Sequence, residues 1–155
     1  MQSERAVDPM DRFSKPVEVQ DTKLGKLFCL DSRKNPDKPG RVFRVIFDNR
    51  FPLVDGFEPK YLYSVTFDDE GNQAGNHYHH EKSELFCALS GSFEVHLEDP
   101  DSKEHEIIDL NSDTHEIFFI KAGIAHKVIS KSKNSVLLVV ATAPNIDGDE
   151  FHYDL

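Results

Sequence analysis

Residues 71–91 read GNQAGNHYHHEKSELFCALSG, and three of the chain's eight histidines fall here, at His77, His79 and His80. In an extended segment, side chains two positions apart project to the same side, so His77 and His79 can reach one cation. A carboxylate at Glu84 can return to that face from the next strand after a tight turn. The spacing indicates a site at which several side chains converge. The alternative is a solvated, histidine-rich loop.

A further candidate ligand lies far along the chain. His126, within KAGIAHKVIS, can approach from a distant strand. Three imidazoles and one carboxylate leave open positions on Fe(II), Mn(II), Ni(II) or Co(II), or supply four ligands to Zn(II). We therefore predict a divalent metal held by His77, His79, Glu84 and His126. His80 directly follows His79 and could orient a ligand or replace one.

Composition restricts the class of protein. A chain of 155 residues with a net charge of −10 fits one domain and argues against a nucleic-acid surface, which needs clustered cations. No apolar run approaches the ~20 residues that cross a bilayer, and the N-terminus lacks the apolar core of a signal peptide. We expect a cytoplasmic protein with no membrane partner, in which Cys29 and Cys87 are reduced, buried thiols.

Short apolar runs separated by turn residues predict an all-β sandwich or barrel. The runs are KLFCL, RVFRVIF, KYLYSVTF, SELFCAL, SFEVHLE, HEIIDL, EIFFI, HKVIS and SVLLVVA. The polar residues 1–20 are interpreted as a flexible arm or a strand that pairs with a partner's edge, and residues 21–155 as the barrel domain. Because exposed edge strands need cover, we expect a homodimer.

Alternation within the runs assigns side chains to faces. In SFEVHLE, residues 93, 95 and 97 share one face, so His96 is expected to point outward. In KYLYSVTF, Tyr61 and Tyr63 share a face with Val65 and Phe67. That stripe can be barrel core or can place a phenol at the site.

The histidine stretch resembles a known motif. Residues 71–91 match G-x5-H-x-H-x4-E-x6-G, the first motif of the cupin superfamily, at every fixed position. The second motif, P-x-G-x2-H-x3-N, is matched at Gly123 and His126, whereas Lys121 and Ser130 replace the proline and asparagine. The resemblance implies a single-domain double-stranded β-helix, the RmlC-like jelly-roll barrel of cupins.

Within the cupins, GNHYHHEKSELFCALSG is similar to the cupin domain of capsular-polysaccharide assembling epimerases. Over residues 40–155 the chain resembles the WxcM-like and dTDP-sugar 3,4-ketoisomerase group. It departs from that group at Ala74, where the group has arginine, at Asn76, and at KAGIAH, which replaces a partly aromatic segment. The added His126 moves the site from metal-free proton transfer toward metal binding.

The resemblance implies an isomerase or epimerase of polysaccharide biosynthesis that acts on a nucleotide-linked 4-keto-6-deoxy sugar. Such a reaction moves a proton next to a carbonyl and needs a base that works near pH 7. His77 and His79 would be bases or ligands, and His80 or Tyr63 would carry the proton if both hold metal. Two other hypotheses are an Fe(II)-dependent cupin dioxygenase and a non-catalytic metal- or sugar-binding cupin.

Overall fold

A computed structural model describes residues 16–30, 39–50, 52–145 and 147–155. Eleven strands and no helix occur in these ranges, so none of the described segments is a helix that could span a membrane. The strands are β1 Pro16–Asp21, β2 Gly25–Leu30, β3 Tyr61–Phe67, β4 Gln73–Tyr78, β5 Glu84–Ser90, β6 Ser92–Glu98, β7 His105–Asn111, β8 Glu116–Ile120, β9 Ala125–Ser130, β10 Ser135–Ala141 and β11 Phe151–His152.

The strands form two antiparallel sheets. One has the order β1-β2-β8-β5-β10-β3 and the other the order β11-β4-β9-β6-β7. Neighbours in each sheet are mostly distant in sequence, as β9 between β4 and β6 illustrates. This crossing order is that of a jelly-roll barrel, which confirms the predicted all-β, single-domain cupin architecture.

The main core lies between the sheets. Phe86 and Phe118 contribute from the six-stranded sheet, and Phe93 and Val128 contribute from the five-stranded sheet. In β6, residues 93, 95 and 97 are buried and alternate with half-buried ones, as predicted. His96 therefore lies on the outer face, where its Nε2 is 2.6 Å from Glu94 Oε1.

Strand β5 is buried on both faces, and this determines where Glu84 points. Phe86 and Ala88 belong to the core between the sheets, whereas Leu85 and Cys87 belong to a second apolar cluster. Glu84 is two residues before Phe86, so it projects from the barrel side of the sheet. Both cysteines are free; Cys87 is buried, as predicted, whereas Cys29 is only half-buried.

Three parts of the chain differ from the sequence-based strand assignment. The run RVFRVIF is not a strand but an irregular segment with one bridge residue, Phe43, and its Ile46 and Phe47 pack on the second cluster. Strand β4 includes residues that the sequence pattern assigned to a turn. Residues 16–20 of the predicted arm pair in β1 with β2 of the same chain, and residues 1–15 lie outside the described residues.

Candidate functional site

The structure brings the four predicted ligands together at one end of the barrel. His77 is the penultimate residue of β4, His79 directly follows that strand, Glu84 begins β5, and His126 lies opposite His77 in β9. One ring nitrogen from each of the three histidines lies within 4.8 Å of the other two. Nε2 of His126 is 3.4 Å from Glu84 Oε2, and Nε2 of His79 is 3.7 Å from Oε1.

A β-bulge in β4 turns His77 toward the cluster. Gly75 pairs with Lys127, but His77 pairs with His126, so Asn76 is an extra residue. Gly75 and Asn76 both have positive φ, 102° and 62°. A Cβ on Gly75 would lie 2.6 Å from the carbonyl oxygen of His126, which only glycine avoids. The inserted residue shifts the alternation by one, so His77 rather than Tyr78 points inward.

The Nδ1 atom of each histidine has a partner at the edge of the cluster. Nδ1 of His79 donates to the backbone carbonyl of Asp149 at 2.6 Å, and that of His126 to the carbonyl of Ile124 at 3.1 Å. Nδ1 of His77 lies 3.0 Å from Oε1 of Glu150. These partners fix the rings so that each Nε2 remains available at the centre of the cluster.

Asp149 has a second function in this arrangement. Its Oδ1 accepts hydrogen bonds from the backbone N–H groups of His80 and Glu81 at 2.8 and 3.2 Å. The tail after residue 146 therefore holds both the loop after β4 and two rings of the cluster. Sequence reasoning missed Asp149 and Glu150 because about 70 residues separate them from the histidines that they contact.

Lys82 was also missed. Its side chain is 4% exposed, and its Nζ lies 3.3 Å from Glu84 Oε1 and donates to Asn145 Oδ1 at 2.9 Å. In the sequence it stands within the charged string EKSE, which reads as a solvated turn. The available signal was its position two residues before Glu84, at the entry to a fully buried strand.

Burial keeps two of the three imidazoles in the cluster neutral, those of His77 and His126. It lowers the pKa of His77 to about 4, with His126 and His79 acting in the same direction and Glu150 opposing them. It also lowers the pKa of His126 to about 4. Both imidazoles are therefore uncharged at pH 7, and the ion pair of Lys82 and Glu84 lies beside them.

The donor set fits a divalent metal. His79 Nε2 and both carboxylate oxygens of Glu84 are buried and have no hydrogen-bond partner among the described residues. Imidazole nitrogens and a carboxylate are ligands that Zn, Fe, Mn, Ni and Co accept. Atoms of this kind, aimed at a common centre with their outer nitrogens anchored, are the arrangement that metal ligands adopt.

The other predicted catalytic residues lie in different places. Tyr63 shares the inner face of β3 with Tyr61, whose ring centroid is 5.5 Å away. Burial, then the charge of Glu84, raises the pKa of Tyr63 above its ordinary value, so its hydroxyl stays protonated at pH 7. His80 lies outside the cluster: it is exposed, and its ring packs on Phe151 at 4.4 Å.

Two cavities lie near these elements. One of about 240 Å³ adjoins the cluster and is lined by His79, Lys82, Pro144, Asn145, Asp147, Gly148, Asp149 and Glu150. The other, of about 560 Å³, is lined largely by apolar residues of segment 44–47, β3 and β10. Two cationic residues, Arg44 and Lys60, also line it. Among the described residues that line this second cavity there is no histidine.

Comparison with known proteins gives a family and a fold. The family model described as FdtA: WxcM-like, C-terminal, matches residues 20–154. No curated protein matches the chain. QdtA, a sugar 3,4-ketoisomerase from Thermoanaerobacterium thermosaccharolyticum solved with TDP, is 26% identical, with a TM-score of 0.55 over 68% of this chain and 80% of that one.

Two further solved structures share the fold. RmlC, a dTDP-6-deoxy-D-glucose-3,5-epimerase from Legionella pneumophila, has a TM-score of 0.72 and 14% identity over 87% of this chain and 76% of that one. ChmJ, a 3'-monoepimerase from Streptomyces bikiniensis solved with dTDP-quinovose, has a TM-score of 0.58 and 14% identity over 62% of this chain. The match covers 52% of ChmJ, about half of its length.

The family match confirms the resemblance seen in the sequence. It takes in all eleven strands except the first residues of β1. It also includes the histidine cluster with Glu84 and Lys82, and most of the tail that anchors the rings. The chain belongs to the WxcM-like, C-terminal family.

Proposed function

We propose that this protein is an isomerase or epimerase that moves a proton next to the carbonyl of a nucleotide-linked keto sugar. The observation that carries the proposal is the cluster of three histidines whose Nδ1 atoms are anchored and whose Nε2 atoms remain available. Family membership supports it, as do the dTDP-sugar ligands of several proteins with this fold.

His77 is the proposed proton acceptor. Its side chain is 24% exposed, whereas those of His79 and His126 are 4% exposed, so His77 stands at the mouth of the cluster. Its lowered pKa leaves the ring neutral at pH 7 and able to accept a proton at Nε2. The carboxylate of Glu150 beside Nδ1 favours the cation that forms when Nε2 takes the proton.

Tyr63 is the proposed proton donor. When His77 removes a proton from the carbon, the electron pair moves to the carbonyl oxygen, which then needs a proton or a hydrogen bond. The raised pKa keeps the Tyr63 hydroxyl protonated for this role. Return of a proton to the former carbonyl carbon, with loss of the hydroxyl proton on the carbon that His77 deprotonated, gives an isomeric ketone. Return of a proton to the opposite face of the deprotonated carbon, with loss of the proton from the former carbonyl oxygen, gives an epimer.

The same cluster is the proposed divalent metal site, with His77, His79, His126 and Glu84 as the ligands. Nε2 of His79 and the two carboxylate oxygens of Glu84, which are buried and form no hydrogen bond among the described residues, support this assignment. A bound ion would supply Lewis acidity toward a carbonyl oxygen. If Nε2 of His77 held a metal, that nitrogen could not accept a proton. Tyr63 would then be the proposed proton carrier, because the alternative, His80, packs on Phe151 outside the cluster.

The test is product formation from TDP-4-keto-6-deoxyglucose, followed by proton NMR. We expect the wild-type protein to convert it to an isomeric or epimeric keto sugar. His77→Asn should lower the rate at least a hundredfold, whereas His96→Asn on the outer face should leave it unchanged. Absence of any new sugar signal with the wild-type protein at stoichiometric concentration would refute the proposal for this substrate class.

A further inference from the structure

Lys82 is a buried cation that the proposed reaction does not use. Lysine is rarely buried unless it is paired, because an unpaired buried charge is costly. Here both members of the pair are shielded from water, since the side chain of Lys82 is 4% exposed and that of Glu84 is 2% exposed. A hydrogen bond to Asn145 fixes the ammonium in place.

The ammonium and the cluster share one oxygen atom. Oε1 of Glu84 lies 3.3 Å from Nζ of Lys82 and 3.7 Å from Nε2 of His79. A metal ion held by His79 and Glu84 would bind Oε1 of Glu84, the same oxygen that already forms the ion pair with Lys82. It would also place two positive charges beside a buried one, where screening by water is weak.

We infer that Lys82 is a built-in counter-ion that competes with divalent metal for Glu84 and so weakens metal binding at the histidine cluster. The inference rests on the proposed ligand set. The buried ammonium of Lys82 and the carboxylate of Glu84 form an ion pair, so the charge of Glu84 is already offset before any ion enters. A divalent ion adds two charges that only Glu84 among the proposed ligands can offset.

A purely structural role for Lys82 gives a different expectation. If the lysine only filled space and stabilised the loop before β5, its removal would lower stability and either leave metal affinity unchanged or reduce it through a distorted site. Competition requires the opposite change in affinity. The two roles are therefore separated by the sign of the effect on metal binding, independently of turnover.

The experiment titrates chelator-treated protein with Co²⁺ at pH 8 and follows the visible absorption of the bound ion. We expect Lys82→Met to bind Co²⁺ at least about tenfold more tightly than wild type. Lys82→Arg should not gain affinity. Lys103→Met, which removes a lysine 4.0 Å from Glu98 on the surface, is the matched control and should equal wild type.

Two further variants make every outcome decisive. If Lys82→Met does not fold without metal, Lys82→Gln keeps a hydrogen-bond donor for Asn145, and the same gain is expected. Affinity equal to or below that of wild type in the folded variant overturns the inference. In the Lys82→Met background, His79→Ala should abolish the gain in Co²⁺ affinity. A gain in affinity that survives this second substitution refutes the ligand set. Turnover by the wild-type protein tests the proposed function separately.

Discussion

At the scale of single residues, the site depends on which nitrogen of each histidine is fixed. Two of the Nδ1 partners, Asp149 and Ile124, are backbone carbonyls, which accept only from a protonated Nδ1. The fold therefore places a proton on Nδ1 of His79 and of His126 and leaves Nε2 of each ring facing the centre of the cluster. For His126, burial also lowers the pKa, so that its Nε2 stays unprotonated at pH 7.

This burial predicts a pH dependence of stability. The pKa of His126 is about 4 in the folded protein and 6.5 as the ordinary value, so the unfolded chain binds more protons between these limits. At ~1.4 kcal/mol per pKa unit, His126 contributes on the order of 3 kcal/mol that is present above pH 6.5 and lost as the pH falls to 4. His77 adds a smaller loss in the same direction, because it is partly exposed.

Urea unfolding of chelator-treated protein at several pH values measures this effect. We expect the free energy of unfolding to fall steadily from pH 6.5 to pH 4.5. His96→Gln on the outer face should keep the slope, whereas His77→Gln should reduce it. A free energy that stays constant across this range would show that His126 and His77 are not held neutral.

At the scale of elements, the bulge in β4 is the feature that converts a strand into a site. Without the extra residue, the inward alternation that begins at Ala74 would continue to Asn76 and Tyr78. The tail then completes the arrangement, because β11 pairs with β4 directly at His77. Positive φ at Gly75 and its close approach to β9 are both required.

Replacement of this glycine tests the bulge. Gly71→Ala is the matched control, since Gly71 also has positive φ but nothing lies within 4 Å of an added Cβ. We expect Gly71→Ala to cost about 1 kcal/mol through backbone strain. Gly75→Ala should cost ~1–3 kcal/mol more, because the new methyl group meets the His126 carbonyl. Equal losses in thermal unfolding would contradict this role for Gly75.

Sequence reasoning identified elements wherever apolar alternation was clean, as in β6. It also placed the four predicted ligands together, because their spacing follows from strand geometry. It failed at RVFRVIF, where an apolar run packs on the outside of a sheet without joining it. It assigned residues 73–76 of β4 to a turn, because the Gly75–Asn76 pair resembles one, although it treated the segment at His77 as extended. It missed Lys82, because burial of a charge depends on a partner that only the fold supplies.

At the scale of the whole molecule, the edge strands of the two sheets are the places where another chain could pair. In the described part of the chain, β1 and β3 are the edge strands of one sheet, and β11 and β7 are the edge strands of the other. Three of these edge strands carry an exposed large apolar side chain: Val19, Leu62 and Ile107. Apolar residues on unpaired edges favour association with another chain.

The homodimer expected from the sequence stays a prediction, and these edge strands are where we expect the second chain to pair. Light scattering at micromolar concentration should give twice the mass of the 155-residue chain. At least one of Val19→Lys, Leu62→Lys and Ile107→Lys should shift the protein to the monomer without changing its circular dichroism. A wild-type protein that is monomeric at this concentration would contradict the expectation.

The proposed function requires the histidine cluster to move a proton next to a sugar carbonyl. The most direct measurement is deuterium incorporation from D₂O into TDP-4-keto-6-deoxyglucose, followed by NMR at the carbon beside the carbonyl. Wild-type protein should exchange that proton far faster than buffer alone, His96→Asn should match it, and His77→Asn should fall at least about a hundredfold. Exchange no faster than in buffer, or an unchanged rate in His77→Asn, would contradict the account.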